Sequence, residues 1–328
     1  LDYASGSTQP LEQITAALGD AIGSGVRWQD SLALLRVAEQ GAVAGNAQLG
    51  ESTRLLVGTL NAYGLGVDQV QRVSDVFFRT VGDGTIKISD LANDFGRIAP
   101  LAAAAGVPVE TLGAALAVLT QQGIQPSEAV TYLRSALSAI IAPGTDAATL
   151  AQQLGIQFDA QALKSRGLAA VLNDVQRATG GNVNQMKTLF GGVEALSAVL
   201  GLSGANAGKF STELARMQNA AGATQTAFEK FAGALGPYVQ QLKNAIDVGL
   251  IGVGDRLLDE SAGIVNAITN IVRAISSSAN SGSLKPLVDD LEAGFKRVQT
   301  VLETVARNLP AALSSADLSS YRAGVQAV

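Results

Sequence analysis

The sequence predicts an all-α protein with many short amphipathic helices followed by fewer long ones, and with no substantial sheet. Apolar residues recur every three or four positions along most of the 328 residues, which is the spacing of one helix face. Glycine and proline, at 36 and 8 residues, are spread along the chain and divide this pattern into segments. Aromatic residues make up only 5% of the chain, so Ala, Leu, Val and Ile are expected to fill thin seams between helices.

A change of pattern along the chain predicts three regions. We expect a helical lead-in over residues 1–33, a region of many short helices over 34–221, and longer amphipathic helices over 222–328. The segments have no fixed repeat period, so the pattern does not indicate a solenoid.

Two short helices are predicted between residues 67 and 106, followed by a third over 107–123. The first has a face formed by Val67, Val70, Val73, Phe77 and Val81. Asp68 is its predicted N-cap, and the turn at 82–84 ends it. The second has a face formed by Leu91, Phe95, Ile98 and Ala102. Ser89 is its predicted N-cap, and Pro100 predicts a kink or a stop.

Residues 123–144 form the clearest helical pattern of the chain. Pro126 suits a first helical position, Glu128 can meet the free N–H groups of the first turn, and Pro143 and Gly144 stop the run. The apolar stripe consists of Ala129, Val130, Leu133, Ala136, Leu137, Ile140 and Ile141. It must pack either against the helix at 108–122 or against a sister chain.

Further segments follow up to residue 221. Thr145 is expected to cap a helix that ends near 154, and Ile156 and Phe158 alternate with polar residues, which indicates a short extended segment within 155–167. Helical spacing resumes over 168–179. The next predicted stripe is Met186, Leu189, Phe190, Val193, Leu196 and Leu200. A break is predicted at 201–208.

Three longer stripes are predicted in residues 222–328. The first is Phe228, Phe231, Leu235, Val239, Leu242 and Ile246, with Pro237 inside it. The second is Ile264, Ile268, Ile271 and Ile275. The third and longest is Leu284, Leu287, Leu291, Phe295, Val298, Leu302, Val305 and Leu309. Each stripe fits an intramolecular core or a seam shared with identical chains, and periodicity alone does not separate the two.

The composition of the chain excludes most kinds of catalytic site. The chain has no Cys and no His, which excludes disulfides, thiolate catalysis and cysteine-ligated zinc, and removes the commonest general base. The chain has a net charge of -5, so it lacks the basic surface that nucleic-acid binding requires. We therefore predict no enzyme activity, no cofactor, and no catalytic, cofactor-binding or metal-binding residues.

One stretch imitates a phosphate-binding loop. Gly208 and Lys209 match part of the pattern G-x-x-x-x-G-K-[ST], but Ser203 replaces its first glycine and Phe210 replaces its hydroxyl residue. A helical stripe precedes the stretch where a phosphate loop needs a strand, so a nucleotide site is not predicted.

Two carboxylate pairs and one tryptophan could also be assigned functions. Asp83 and Asp90, or Asp289 and Asp290, are candidates for metal or acid–base chemistry, but turn formation and solvation explain them more simply. Trp28, the only Trp of the chain, is expected to pack half-buried, with a partner contact as the alternative.

The sequence contains no predicted signal peptide or membrane span. It begins at Leu1 without Met, which suggests a piece of a longer protein. Its most apolar stretches, 112–119 and 248–254, are shorter than the roughly 20 residues that cross a bilayer.

Three stretches taken together resemble the core region of phage tail tape measure proteins. The first, 60–143, has the Asn-Ala-aromatic turn, the Asp and Gly turns and the "QQGI" turn in family order. The second is 154–175, and the third, 189–202, is followed by 219–231. The resemblance covers roughly residues 34–231, and the rest matches only in helical character.

The resemblance implies a structural virion protein that sets tail length and occupies the tail tube lumen until DNA ejection. Its implied partners are the tail tube protein, the tail tip or baseplate hub proteins, tail assembly chaperones and sister copies, without any specific nucleic-acid sequence. As one helix, 328 residues would span at most on the order of 490 Å.

Two other functions compete with this one. In the first, the ejected protein helps form a DNA-delivery channel in the host envelope, an idea motivated by the Ala/Gly-rich stretches 98–119 and 245–254. In the second, the protein acts as a peptidoglycan hydrolase, because some tape measures resemble fusions with such enzymes. No nucleophile–base pair supports that reading, and we expect no activity on cell-wall substrate.

Overall fold

Helices follow one another along the whole part of the chain that the computed structural model describes, which is residues 2–232 and Asn244. They are α1 (Asp2–Gly6), α2 (Leu11–Gly23), α3 (Trp28–Ala44), α4 (Leu49–Tyr63), α5 (Val70–Asp83), α6 (Ile88–Asp94), α7 (Ala99–Ala104), α8 (Val109–Gln121), α9 (Pro126–Ile141), α10 (Thr145–Leu154), α11 (Ala160–Thr179), α12 (Val183–Phe190), α13 (Val193–Leu202), α14 (Ala207–Gln218) and α15 (Ala223–Ala232). Over residues 2–232 no strand is present, so the all-α prediction is confirmed there.

Helix α8 lies at the centre of the packing. Every residue from Thr111 to Thr120 is buried, and the helix contacts α5, α9, α13 and α14. A helix that is apolar on all sides has to be enclosed by protein, and four neighbours enclose this one. Burial in a helical core therefore accounts for the apolar stretch 112–119.

Helix α9 confirms the pattern read at 123–144. Pro126 is its first residue, Glu128 lies in its first turn, and the helix ends before Pro143. Six of the seven predicted stripe residues are buried, and Ile141 is half-buried. The stripe packs mainly against α13 and also against α8, so it has its partners within the chain.

The predicted N-caps Asp68, Ser89 and Thr145 are wrong. Asp68 lies inside a 3₁₀ turn that precedes α5, and Thr145 is the first helical residue after an extended Gly144. Ser89 lies inside α6, because the Asp90 carboxylate accepts the backbone N–H of Lys87 at 2.9 Å and so starts the helix earlier. Helix α6 thus begins one residue before Ser89, α10 begins at Thr145 itself, and α5 begins two residues after Asp68.

The predicted interruption at Pro100 is confirmed. The face Leu91, Phe95, Ile98 and Ala102 is buried, but two helices form it, with a 3₁₀ turn over Phe95–Arg97 between them and Pro100 in the first turn of α7. Phe95 contacts Phe77 of α5 edge to face at 4.9 Å between ring centroids.

The extended segment predicted within 155–167 is wrong. Residues 156–158 are irregular, and α11 begins at Ala160, where Asp159 accepts the N–H of Ala162 at 2.7 Å. Phe158 is buried against Phe190 of α12 at 5.1 Å, which explains its apolar character without a strand. Gly167, at φ 80°, interrupts α11 where the renewed helical spacing was predicted to begin.

The stripe predicted through 186–200 fails in its second half. Gly191 and Gly192 separate α12 from α13, and the positive φ of Gly191 changes the helical phase. Val193 is 70% exposed and Leu200 is 42% exposed. The residues of α13 that are buried instead are Ala195, Ala198, Val199 and Leu202, together with Gly201.

The stripes predicted at 235–309 lie outside the described residues. The division at residue 222 and the pairing with sister chains also stay predictions.

Candidate functional site

The stretch that imitates a phosphate-binding loop is part of a helical connection. Ser203 is buried ahead of a 3₁₀ turn over Gly204–Asn206, and Gly208 and Lys209 lie in the first turn of α14. Phe210 is 1% exposed and belongs to the core. The element before this stretch is α13, so the strand–loop–helix arrangement of a phosphate-binding loop is missing.

The candidate carboxylates Asp83 and Asp90 have separate structural roles. Asp90 holds the start of α6, whereas Asp83 ends α5 and lies 3.6 Å from the guanidinium of Arg216 on α14. Among the described residues, no group of three or more Asp, Glu, His or Cys side chains could hold a metal ion. Asp289 and Asp290 lie outside the described residues.

Trp28 is not half-buried as predicted, because 69% of it is exposed at the first turn of α3. Leu32, one turn later, is also exposed at 42%. The alternative interpretation, contact with a partner, stays a prediction.

Asp75 of α5 forms a buried polar site that sequence reasoning missed. The residue is 2% exposed, and its carboxylate accepts the backbone N–H groups of Gly222 at 2.8 Å and Thr224 at 2.9 Å. These groups lie at the start of α15, where helical N–H groups have no partner within the helix. Gln71 and Ser74 add hydrogen bonds to Asp75 and Thr224, respectively. Asp75 thus supplies the N-terminal cap of a helix about 150 positions away.

Glu39 of α3 holds the N-terminal segment in a similar way. Its carboxylate accepts the Tyr3 hydroxyl at 2.7 Å and both the N–H and the hydroxyl of Thr8 at 2.6 Å. Burial, followed by the charge of Glu39, raises the pKa of Tyr3 well above its usual range, so its phenol stays a donor. An open cavity of about 280 Å³ lies beside Glu39 and is also lined by Arg36 and Phe228.

Asp83 and Glu213, the second of which the sequence did not single out, form a pair of carboxyl groups between α5 and α14. Glu213 is 7% exposed, and its Oε1 lies 3.3 Å from Arg216 Nη1, the same atom that faces Asp83. Burial, and then the charge of Asp83, raise the pKa of Glu213. The side-chain amide of Gln121 on α8 donates a hydrogen bond to the backbone carbonyl of Asp83, so three helices meet around these carboxyl groups.

A cavity of about 460 Å³, larger than the one beside Glu39, lies between the end of α12 and the start of α10. Its lining consists mainly of small and apolar groups, with Asp146 as its charged residue. Such a lining provides no pair of convergent groups for acid–base or nucleophilic chemistry.

These buried carboxylates share a reason for having been missed. Periodicity treats a charged residue between stripe positions as solvent-facing. The main partners of Glu39 and Asp75 also lie far away in the sequence. Within residues 2–232, these carboxylates therefore join helices to one another.

In the described part of the chain, none of the helices combines the length and the hydrophobicity that a bilayer crossing requires. The stretch 98–119, which motivated the membrane-active alternative, consists of α7 and the enclosed α8. The other motivating stretch, 245–254, lies outside the described residues.

Sequence comparison identifies relatives of this helical unit. The chain is 29% identical over 251 residues to the tape measure protein of Pneumococcus phage Dp-1, covering 75% of this chain and 22% of that protein. It is 26% identical over 264 residues to the probable tape measure protein of Clostridium phage phiCD119, covering 78% of this chain and 28% of that one. It is 25% identical over 235 residues to the probable tape measure protein of Escherichia phage P2, and the match covers 70% of this chain and 28% of that protein.

The chain spans about a quarter of the length of these relatives. No solved structure matches it. The resemblance inferred from residues 34–231 is confirmed, although the family match begins earlier, at residue 4, and ends at residue 191. Because that match covers more than half of the 328 residues, this chain belongs to the family of phage-related minor tail proteins.

Proposed function

We propose that this chain is part of a tape measure protein that sets phage tail length and occupies the tail tube lumen until DNA ejection. The observation that carries the proposal is the 29% identity over 251 residues to a tape measure protein. The role is structural, since the polar groups of the described helices bond to one another and not around a reactive centre.

Residues 2–232 contribute little length while they are folded. As one continuous helix they would extend over about 350 Å. A compact unit of this size has a radius of gyration of only about 17 Å. We therefore assign the length-determining role to chain outside this folded unit, and regard residues 2–232 as a folded module of the same protein.

The proposed partners are the tail tube protein, the tail tip or hub proteins, the assembly chaperones and sister copies. Exposed apolar side chains within the described unit, such as Trp28, Val193 and Leu200, are available for contacts of this kind. A single exposed apolar residue is ordinary, so these residues support partner binding only together with the family.

The length proposal is tested by an in-frame deletion of residues 284–309 in the full-length gene of the phage. This segment has the longest uninterrupted helical pattern of the sequence. At about 1.5 Å per helical residue, tails should become shorter by on the order of 40 Å in electron micrographs.

Two controls make the deletion interpretable. Replacement of 284–309 by an unrelated helical sequence of equal length should restore the original tail length. Deletion of the enclosed helix α8 should unfold the module and abolish tails without yielding a shorter, uniform class. Tails of unchanged length after the 284–309 deletion would contradict a ruler role for this segment.

A further inference from the structure

Two carboxylate oxygens at the contact of α5 and α14 lack a hydrogen-bond partner. They are Oδ2 of Asp83 and Oε2 of Glu213, and both are closed to solvent. Buried polar atoms are nearly always paired, and an ionised carboxylate that is left unpaired costs more than a neutral group. No neighbouring side chain donates a hydrogen bond to either of these two oxygens, so the arrangement calls for a further donor.

The groups around Glu213 come from three helices. Within α14, Arg216 faces Oε1 of Glu213 at 3.3 Å, and its guanidinium is 54% exposed. From α5, Asp83 brings a second negative charge, and from α8, Gln121 brings a neutral amide. Among the described residues, Asp83 and Arg216 are the charged groups that act on Glu213. One exposed guanidinium thus serves two carboxyl groups, and it meets only one oxygen of each.

We propose that the Glu213 carboxyl group keeps its proton in the folded chain and donates it to Asp83, and that this proton makes the docking of α14 onto α5 and α8 sensitive to pH. A protonated Glu213 donates to Asp83, which gives both orphaned oxygens a partner and removes one of two like charges. This inference does not depend on the function proposed for the chain.

A proton suits this place better than a metal ion. Both free oxygens are buried, so a hydrated cation has no access to them. Calcium takes six or more oxygen ligands, whereas two carboxyl groups and one amide meet here.

The sign of the pH dependence follows from the direction of the pKa shift. Burial first, and then the charge of Asp83, raise the pKa of Glu213 above its ordinary value of 4.5, and they outweigh Arg216 and the hydrogen bond of Gln121, which lower it. The folded chain therefore keeps this proton in a pH range where the unfolded chain has lost it. The stabilisation is complete below the ordinary value and disappears as the pH rises through the raised one.

The test compares the 328-residue chain with its Glu213→Gln variant between about pH 5 and about pH 8. Gln keeps the shape of the side chain and carries a permanent N–H donor toward Asp83. At the upper end of this pH range, the melting temperature of the variant should exceed that of the unchanged chain by about 2–4 °C. At the lower end of the range, the two melting temperatures should agree. Glu128→Gln, on the exposed part of α9, is the matched control and should show no pH-dependent gap.

Carboxyl ¹³C NMR of the unchanged chain tests the proposal even if the variant folds poorly. One glutamate signal, absent from Glu213→Gln, should titrate above the others. The proposal is overturned if Glu213 titrates with the exposed glutamates, or if the variant is less stable at every pH. It is also overturned if Ca²⁺ or Mg²⁺ raises the melting temperature of the unchanged chain but not that of the variant, because a cation would then occupy the site.

Discussion

At the residue scale, buried carboxylates account for specific joints of the fold. Asp75 accepts the two N–H groups of Gly222 and Thr224 that α15 cannot satisfy internally. A hydrogen bond to a charged acceptor contributes more than a neutral one, and a buried N–H without a partner costs about 1–3 kcal/mol. The start of α15 is therefore energetically dependent on one side chain of α5.

Replacement of Asp75 by Ala should destabilise the unit by about 2–3 kcal/mol, because it leaves buried N–H groups unpaired. Urea unfolding of the 328-residue chain measures the loss, and hydrogen exchange at Gly222 and Thr224 should become faster. Asp68→Ala, at an exposed carboxylate ahead of the same helix, should change stability by no more than about 0.5 kcal/mol. Equal effects of both substitutions would show that the cap contributes nothing.

Trp28 provides a second prediction at this scale. Because 69% of the residue is exposed, acrylamide should quench its fluorescence in the native chain nearly as well as in the urea-unfolded chain. As it is the only Trp, the emission reports on this position alone. Strong protection of the native chain would contradict the exposed position.

At the element scale, small residues allow the helices around α8 to approach closely. A Cβ added to Gly113 would lie 2.5 Å from Thr80 Oγ1 and 3.1 Å from Val76 Cγ1, both on α5. Thr80 is buried and bonded to the carbonyl of Val76, so its hydroxyl has little freedom to move away. Gly113 is therefore required for packing, although glycine weakens a helix.

Gly113→Ala and Gly58→Ala should change stability in opposite directions. Overpacking at Gly113 should cost about 1–3 kcal/mol despite the better helix propensity of alanine. At Gly58, in α4, an added Cβ has no atom within 4 Å and therefore causes no clash. The higher helix propensity of alanine should then stabilise the chain by up to about 1 kcal/mol. Chemical denaturation measures both, and a stabilised Gly113→Ala variant would refute the close approach of α5 and α8.

The helix boundaries show which features the apolar periodicity of the sequence can predict and which it cannot. Pro126 and Pro143 bracketed α9 correctly, because proline acts on local backbone geometry and on one missing N–H. The N-caps predicted at 68, 89 and 145 were wrong, because the helical turns there start from Gly66, Lys87 and Gly144, none of which makes a side-chain capping hydrogen bond. The stripe through Val193 failed because Gly191 and Gly192 allow a change of phase that spacing cannot register.

At the scale of the whole described unit, a composition rich in Ala, Leu, Val and Gly is accommodated by many thin helix–helix seams. Two edge-to-face Phe pairs, Phe77 with Phe95 and Phe158 with Phe190, add larger side chains to this core. The shortening of tails proposed for the 284–309 deletion belongs to this scale, because a folded module and a length-determining segment respond differently to lost residues. Under the proposed function, loss of a core helix should remove the fold, whereas loss of ruler residues should remove length.

The sequence by itself determined the all-α class, most helix positions, the absence of Cys and His chemistry and, through resemblance, the similarity to phage tail tape measure proteins. These features depend on local backbone preference, composition and residue order, which the chain carries without folding. Only the tertiary structure decided that α9 packs on α13 and α8, that Trp28 is exposed, and that Asp75, Glu39 and Glu213 join distant segments. Contacts between residues far apart in the chain depend on how helices meet in space, and a one-dimensional period contains no information about that meeting.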